Sequence, residues 1–360
     1  MIPIAKPLLD EKEIDAVSNV LRSGMIAEGS QVAKFEDSFA GYIGVEHAVA
    51  VNSGTAALHA ALLAHGIGVG DEVITTSFSF IATANSILFT GAKPVFADIE
   101  ADTFNIDSND ILNKITSKTK ALMPVHLYGH PAEMKAIMEI AEDHDLIVIE
   151  DACQAHGASY GGKKVGSFGT GGFSFYPTKN MTTSEGGMIT TNDKAVADRA
   201  RMVRSHGSKQ RYLHEMVGYN LRMTDISAAI GLVQLDKLDS FTSMRQKNAK
   251  VLSDGLRDID GIIIPTIRND CEHVFHQYTM RVENRDELAA MLNKASIGTG
   301  TYYPIPIHKQ PVYRQLGYDD KLPECEKAAM EVISLPVHPD VSNDGLNEIV
   351  ENTTKFTRTI

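Results

Sequence analysis

HAVAVNSGTAALHAALLAHG, residues 47–66, sets the reading of the fold. A short β-type run, HAVAV, meets an alanine-rich helical stretch from Gly54 with only a tight polar turn between them. The alternation continues: DEVITTS reads as a strand and FIATANSILFTG as helix-compatible. KPVFADI and KALMPV read as further strands, PAEMKAIMEIAEDHD as a helix and LIVIED as a strand. Near-continuous Val/Ile/Leu runs alternating with helices predict a parallel sheet covered on both faces. In such sheets ligands sit beyond the carboxyl ends of the strands, so chemistry is sought there.

Upstream, DEKEIDAVSNVLRSG reads as a helix capped by Asp10, with Glu13 three residues on, Ile14, Val17 and Leu21 on one face, and Gly24 as its stop. Downstream of Thr224 a long helical pattern places Ile226, Ile230, Val233 and Leu238 on one side. Beyond it HVFHQYTMRVE reads as a strand and NRDELAAMLNKAS as a helix capped by Asn284. The expected division is a large domain over 1–240, including the N-terminal helix, and a small C-terminal domain over 241–360.

The chain has 360 residues, ordinary charged and hydrophobic fractions and a formal net charge of -12. That balance argues against nucleic acid or an anionic membrane as the main partner. Cys153, Cys271 and Cys325 form no CxxC pair, which leaves no redox motif or zinc knuckle. The opening MIPIAKPLLDEKEID has no apolar signal region, and no apolar run approaches a membrane span. A soluble cytoplasmic protein is expected.

At the strand ends, Asn52-Ser53-Gly54-Thr55 opens a helix with free N–H groups, a glycine and hydroxyls, a combination suited to phosphate. A plain helix cap by Ser53 or Thr55 has the same letters. Asp151 closes LIVIED; it is either a capping aspartate or the partner of a cationic cofactor atom. Lys179 sits among hydroxyls and glycines just after GGFSFYP. Most lysines are surface residues, but a Schiff-base lysine needs a neutral amine and room for an aldehyde. Neither a P-loop, a dinucleotide fingerprint nor HExxH occurs. The GASYG stretch at 157–161 is not taken as a nucleophile elbow. Cys271, His273 and His276 would be split between faces by strand alternation, so no metal site is expected. A phosphate cradle, an acid and an isolated lysine are what pyridoxal 5'-phosphate requires.

NSGTAAL, VIEDACQAHGA, FSFYPTKNMTTSEGG and GYNLRMTDISAAIGLVQL, followed by YYPIPIHKQP and SLPVHP, closely resemble the DegT/DnrJ/EryC1/StrS sugar aminotransferases over nearly the whole chain. The resemblance implies an α/β fold-type I transferase with a seven-stranded, mostly parallel sheet and a smaller C-terminal α/β domain. It implies a homodimer with active sites at the interface. By that pattern Lys179 is the Schiff-base lysine and proton shuttle, Asp151 pairs with the pyridine nitrogen, and Gln154 bonds the phenolic oxygen. Gly54, Thr55 and Ser174 hold the phosphate, Phe80 lies over the ring, and Asn220 reaches the phosphate from the partner. Tyr303 and His308 fall in a loop lining the sugar site.

Phe80 also reads as helix core, Tyr303 as a strand residue and His308 as a cap or surface histidine, but the motif context favours the functional reading of all three. The expected reaction moves an amino group from L-glutamate to a keto-sugar nucleotide. The YYPIPIHKQP and SLPVHP motifs favour a 3-keto UDP-N-acetylhexosamine derivative. The alternatives are 4-keto-6-deoxy sugars on UDP, dTDP or GDP, a dehydratase of the same fold, and a non-catalytic regulator that binds the cofactor. Lys179 stands where dehydrating members have histidine. Ser184 departs from the usual glycine, which costs little unless the position needs positive φ.

Overall fold

In strand β1, His47–Val51, alternate residues feed two separate cores: Val49 and Val51 join one, Ala48 and Ala50 the other. A strand buried on both faces has no polar side to show, so it reads as a continuous apolar run. The computed structural model describes residues 1–357. Six strands join β1: β2 Glu72–Thr76, β3 Lys93–Ala97, β4 Thr119–Met123, β5 Ile147–Asp151, β6 Thr170–Ser174 and β7 Gly187–Thr191. The sheet order is β1-β7-β6-β5-β4-β2-β3. Only β7 runs against its neighbours β1 and β6; the other pairs are parallel. The fold is the expected α/β architecture with a seven-stranded, mostly parallel sheet.

Helix α1, Glu11–Ser23, starts in a capping box: Asp10 accepts from the Lys12 N–H at 2.9 Å, and Glu13 accepts from the Asp10 N–H at 2.9 Å. Gly24 ends it in the left-handed region at φ 74°. Its buried face differs from the expected one. Ile14 and Leu21 are exposed, whereas Glu13 and Val20 are buried. The reason is electrostatic: Glu13 accepts from Lys237 Nζ at 2.8 Å and Gln234 Nε2 at 2.7 Å, docking α1 through a polar pair.

Helix α2, Ser30–Ile43, places Phe35 and Phe39 against Phe173 and Phe175 on one face of the sheet. Helix α3, Gly54–Ala64, lies on the other face and is buried almost all round, as its alanine-rich sequence requires. It sits unusually close to β6. A Cβ on Gly172 would come within 2.6 Å of Leu58 Cδ2. Helix α4, Ala82–Phe89, follows β2. Helix α5, Lys194–Arg204, packs beside α3 through Val196, Ala197 and Ala200.

Helix α6, Asp225–Leu256, is 32 residues long and is capped by Thr224, whose Oγ1 accepts from the Ser227 N–H at 3.2 Å. Leu238 is buried, but Ile226, Ile230 and Val233 are only half-buried; Ala228 and Leu235 are the core-facing residues of this half. Ala249, Leu252 and Leu256 belong to a different core, built on an antiparallel sheet of β8 Ile262–Ile263, β9 Tyr278–Val282 and β10 Val332–Leu335. Helices α7, Arg285–Lys294, and α8, Asn343–Thr357, cover it.

The strand expected over HVFHQYTMRVE begins only at Tyr278. Phe275 takes φ 46°, which breaks the extended run, and the Val274 and Gln277 N–H groups bond to the Gly129 and Tyr128 carbonyls instead. Cys271 and Glu272 form a separate two-residue strand. Among the described residues, no cluster of His, Cys, Asp or Glu is arranged to hold a metal, and no helix is long and apolar enough to cross a membrane. GASYG does carry the letters G-x-S-x-G, but Ser159 lies in a two-residue strand, not at a strand-to-helix elbow.

Candidate active site

The close packing of α3 on β6 creates the first feature of the site. Ser53 caps α3, its Oγ accepting from the Ala56 N–H at 3.1 Å. The first-turn N–H groups beyond it have no partners within the helix. A Cβ on Gly54 would lie 2.5 Å from Ser174 Cβ and 3.0 Å from Cys153 Sγ, so only glycine lets the helix start abut the end of β6. Thr55, Ser174 and the start of α3 thereby line one cavity, a combination suited to a dianionic phosphate. β7 passes equally close: a Cβ on Gly187 would lie 2.3 Å from the Ser53 carbonyl oxygen.

Asp151, at the carboxyl end of β5, is buried at 5% exposure. Its Oδ2 accepts from Thr83 Oγ1 at 2.7 Å and its Oδ1 from the Cys153 N–H at 3.2 Å. Ser79 Oγ lies 2.8 Å from Thr83 Oγ1. Gln154 is held at both ends. Its Oε1 accepts from the Tyr128 N–H at 2.9 Å and its Nε2 donates to Tyr303 Oη at 3.1 Å. Tyr128 has φ 58°, and its hydroxyl donates to the Tyr302 carbonyl. Phe80 is exposed, with its ring 6.1 Å from that of Tyr303.

Lys179 follows β6 in a loop closed by bonds from the Phe175 N–H to the Gly186 carbonyl and from the Thr183 N–H to the Phe175 carbonyl. The side chain is half-buried, and among the described residues nothing forms an ion pair or hydrogen bond with Nζ. Burial holds its amine below the ordinary lysine range, with Cys153 and Asp151 pulling weakly the other way. A desolvated lysine without a carboxylate partner has the larger neutral fraction that nucleophilic amine chemistry needs. Ser184 sits at φ 71°, so the position does use the left-handed region.

A cavity of about 550 Å³ gathers Gly54, Thr55, Asp151, Gln154, Ser174 and Lys179, with Phe80 and Tyr303 on its walls. His308 is not among its lining residues, and neither is Asn220, which was expected to reach it from a partner copy. Asn220 is exposed outside the cavity, its carbonyl 3.5 Å from Asn52 Nδ2. His308 is fully buried. Its Nδ1 is 2.7 Å from Ser77 Oγ, its backbone N–H donates to the same oxygen at 2.9 Å, and its Nε2 is 3.3 Å from Glu326. Ser77, accepting the backbone N–H, can donate its proton to Nδ1, which leaves Nε2–H for Glu326.

Sequence reasoning missed Ser79 and Thr83. Their signal was the run of hydroxyls around Phe80 just beyond the end of β2, where the strand-end rule already pointed. His276, also on the cavity wall, was weighed only as a metal ligand; burial holds its imidazole well below the usual histidine range.

Pyridoxal 5'-phosphate offers a phosphate, a ring nitrogen, a phenolic oxygen and an aldehyde. The Gly54–Ser174 cradle that a Cβ would fill, the buried Asp151, the fixed Gln154 amide and the unpaired Lys179 amine match these in kind. Fold and cavity together define a pyridoxal-phosphate enzyme of fold type I. The model of the DegT/DnrJ/EryC1/StrS aminotransferase family matches residues 7–354, and the chain belongs to that family. It is a sugar aminotransferase that depends on pyridoxal 5'-phosphate.

The chain is 46% identical over 349 residues to the "Pleiotropic regulatory protein" of Geobacillus stearothermophilus, covering 95% of this chain and 93% of that one. It is 41% identical over 339 residues to the dTDP-3-amino-3,4,6-trideoxy-alpha-D-glucose transaminase of Streptomyces venezuelae, covering 93% and 89%. The crystal structure of S. venezuelae DesV in complex with a ketimine intermediate superposes with a TM-score of 0.95 at 39% identity, covering 99% of this chain and 100% of that one.

Proposed function

We propose that the protein transfers the amino group of L-glutamate to the 3-keto carbon of a nucleotide-linked hexose, with a UDP-N-acetylhexosamine derivative as the preferred acceptor. The observation that carries the reading is the unpaired, desolvated Lys179 amine opening into the same cavity as Asp151 and the Gly54–Ser174 cradle. The 3-position draws support from the name of the S. venezuelae transaminase, whose product bears a 3-amino group. The carrier and the acetamido group rest on the YYPIPIHKQP and SLPVHP motifs.

The bound cofactor supplies the electron sink that stabilises a carbanion next to nitrogen. The chain does the rest. Gly54, Thr55 and Ser174 anchor the phosphate, Asp151 holds the ring nitrogen, Gln154 holds the phenolic oxygen, and Phe80 covers the ring. Nζ of Lys179, its proton affinity lowered by burial, accepts the proton from the donor's α-carbon in one half-reaction and delivers a proton to the acceptor carbon in the other. Phe80 and Tyr303 narrow the way in beside the reacting centre. A histidine at position 179 could not form the covalent amine link, so the lysine favours amino transfer over dehydration.

We infer further that two copies associate, with Asn220 reaching the cavity of the other copy. Its exposed place outside its own cavity supports this, as do Tyr212, Leu213 and Val217 exposed on the same segment. A division near residue 240, partway along α6, is proposed on the change of core membership between Leu238 and Ala249.

The test is an absorption scan of purified protein with pyridoxal 5'-phosphate before and after L-glutamate, then turnover on a panel of keto-sugar nucleotides with product analysis. The reading expects a spectral change with glutamate and amination of the 3-keto UDP-N-acetylhexosamine. Amination of 4-keto sugars alone would refute the assigned acceptor. A Lys179→Ala variant with full turnover would refute the assigned lysine.

A further inference from the structure

We propose that Thr83, backed by Ser79, is a positioning residue that fixes the Asp151 carboxylate toward the ring nitrogen of the cofactor; this rests on the reading of the cavity given above. The torsion that turns a carboxylate about its Cβ–Cγ bond is soft, so an aspartate presents a defined oxygen only when something else holds it. The Asp151 backbone is locked: its N–H donates to the Pro124 carbonyl at 2.8 Å and its carbonyl accepts from the His126 N–H at 3.0 Å. Its carboxylate is held at two points, by Thr83 Oγ1 at 2.7 Å and by the longer Cys153 N–H contact at 3.2 Å. The shorter bond to a charged acceptor is the stronger constraint.

The direction of the hydroxyl chain follows from its end. An ionised carboxylate only accepts, so the Thr83 proton points at Asp151, and the Thr83 oxygen is left to accept from Ser79. Both hydroxyl residues are buried, at 1% and 4% exposure, so bulk water does not compete for either bond. A threonine inside a helix often turns its hydroxyl back to a carbonyl of the preceding turn. Here that hydroxyl is spent across the cavity wall.

Ser79 adjoins Phe80, and Ser77 in the same loop is bonded to His308. One piece of backbone after β2 therefore sets both the aromatic wall and the orientation of the acid.

The experiment compares wild type, Thr83→Val, Thr83→Ser and Ser79→Ala. Each apoprotein is titrated with pyridoxal 5'-phosphate, the visible circular dichroism of the bound cofactor is recorded, and kcat and KM are measured. Thr83→Val is expected to bind the cofactor about tenfold more weakly, with a diminished dichroic band and a kcat lowered about tenfold at unchanged KM for the sugar. Thr83→Ser should restore all three, and Ser79→Ala should fall between. Wild-type affinity and dichroism in Thr83→Val would overturn the proposal, as would Thr83→Ser behaving like valine, since the methyl packing would then be what matters. If Thr83→Val does not fold, Ser79→Ala decides by the same readouts. Wild-type protein that takes up no cofactor would overturn the reading of the cavity itself; uptake by wild type with no difference among variants would overturn this inference alone.

Discussion

Ser77 and His308, 231 positions apart, are joined by two contacts through one oxygen: Ser77 Oγ lies 2.7 Å from the ring Nδ1 and 2.9 Å from the backbone nitrogen of His308. The pair clamps the loop after β2 to the segment that carries Tyr302 and Tyr303. His308→Ala removes a fully buried ring and leaves Ser77 without its side-chain partner, so stability should fall by about 2–4 kcal/mol. Glu326→Gln, at the outer end of the same chain of bonds, should cost under about 1 kcal/mol. Urea unfolding midpoints of the two variants check the ordering.

Gly54→Ala places a methyl 2.5 Å from Ser174 Cβ and 3.0 Å from Cys153 Sγ, where neither neighbour is the far end of a flexible chain. Forced overpacking of this kind costs about 1–3 kcal/mol. It also moves the helix start off the end of β6. Thermal melts should show the loss of stability, and cofactor titration a weaker affinity of about tenfold or more. Unchanged affinity would mean that the phosphate sits elsewhere.

His156 lies between the rings of Phe173 and Phe175, and burial, assisted by the charges of Lys179 and Arg245, pushes its imidazole down to about 3. The unfolded chain binds this proton below the ordinary value near 6.5, whereas the folded chain does so only near 3. Its contribution to stability is therefore complete above about pH 6.5 and is lost progressively as pH falls toward 3. Within that window the slope is about 1.4 kcal/mol per pH unit for this one group. His130, His273 and His276 are shifted the same way and add to it. His156→Leu should flatten the acid side of a stability-against-pH curve by about one proton. A curve parallel to wild type between pH 6 and 4 would contradict this.

Ser184 holds φ 71° at an exposed position, so it bears the left-handed penalty without compensation from burial. Ser184→Gly should remove that penalty and lose part of the gain to unfolded-chain entropy, for a net stabilisation of about 0.5–1 kcal/mol. Denaturant midpoints measure it. Destabilisation would show that the serine side chain fixes the loop.

The sheet was legible because strands buried on both faces leave an unmistakable apolar run, and because the glycines of β6 and β7 sit where helix and turn press against them. Lys179 was legible because it stands alone among small residues at a strand end. What escaped had no local signature. Glu13 reads as a surface residue until Lys237 and Gln234 arrive from 221 or more positions away. His308 reads as a loop histidine until Ser77 appears beside it. Phe275 gives no hint of its positive φ, which comes from the carbonyls of 128 and 129 drawing the strand aside. Ser79 and Thr83 were visible as letters, but Asp151 lies 68 positions beyond Thr83.

The contact between α3 and β6 has a consequence for how this chain can be altered. A carbon added at Gly172 would lie 2.6 Å from Leu58 Cδ2, and one added at Gly54 would lie 2.5 Å from Ser174 Cβ. The half of the cavity facing the phosphate cradle thus leaves almost no room for sequence drift. Phe80 and Tyr176, by contrast, reach the same cavity with about half of their surface free. Efforts to retarget the enzyme to other sugars should randomise Tyr176 and leave Phe80 and the glycines untouched, because acceptor range can change at Tyr176 while cofactor capture stays intact.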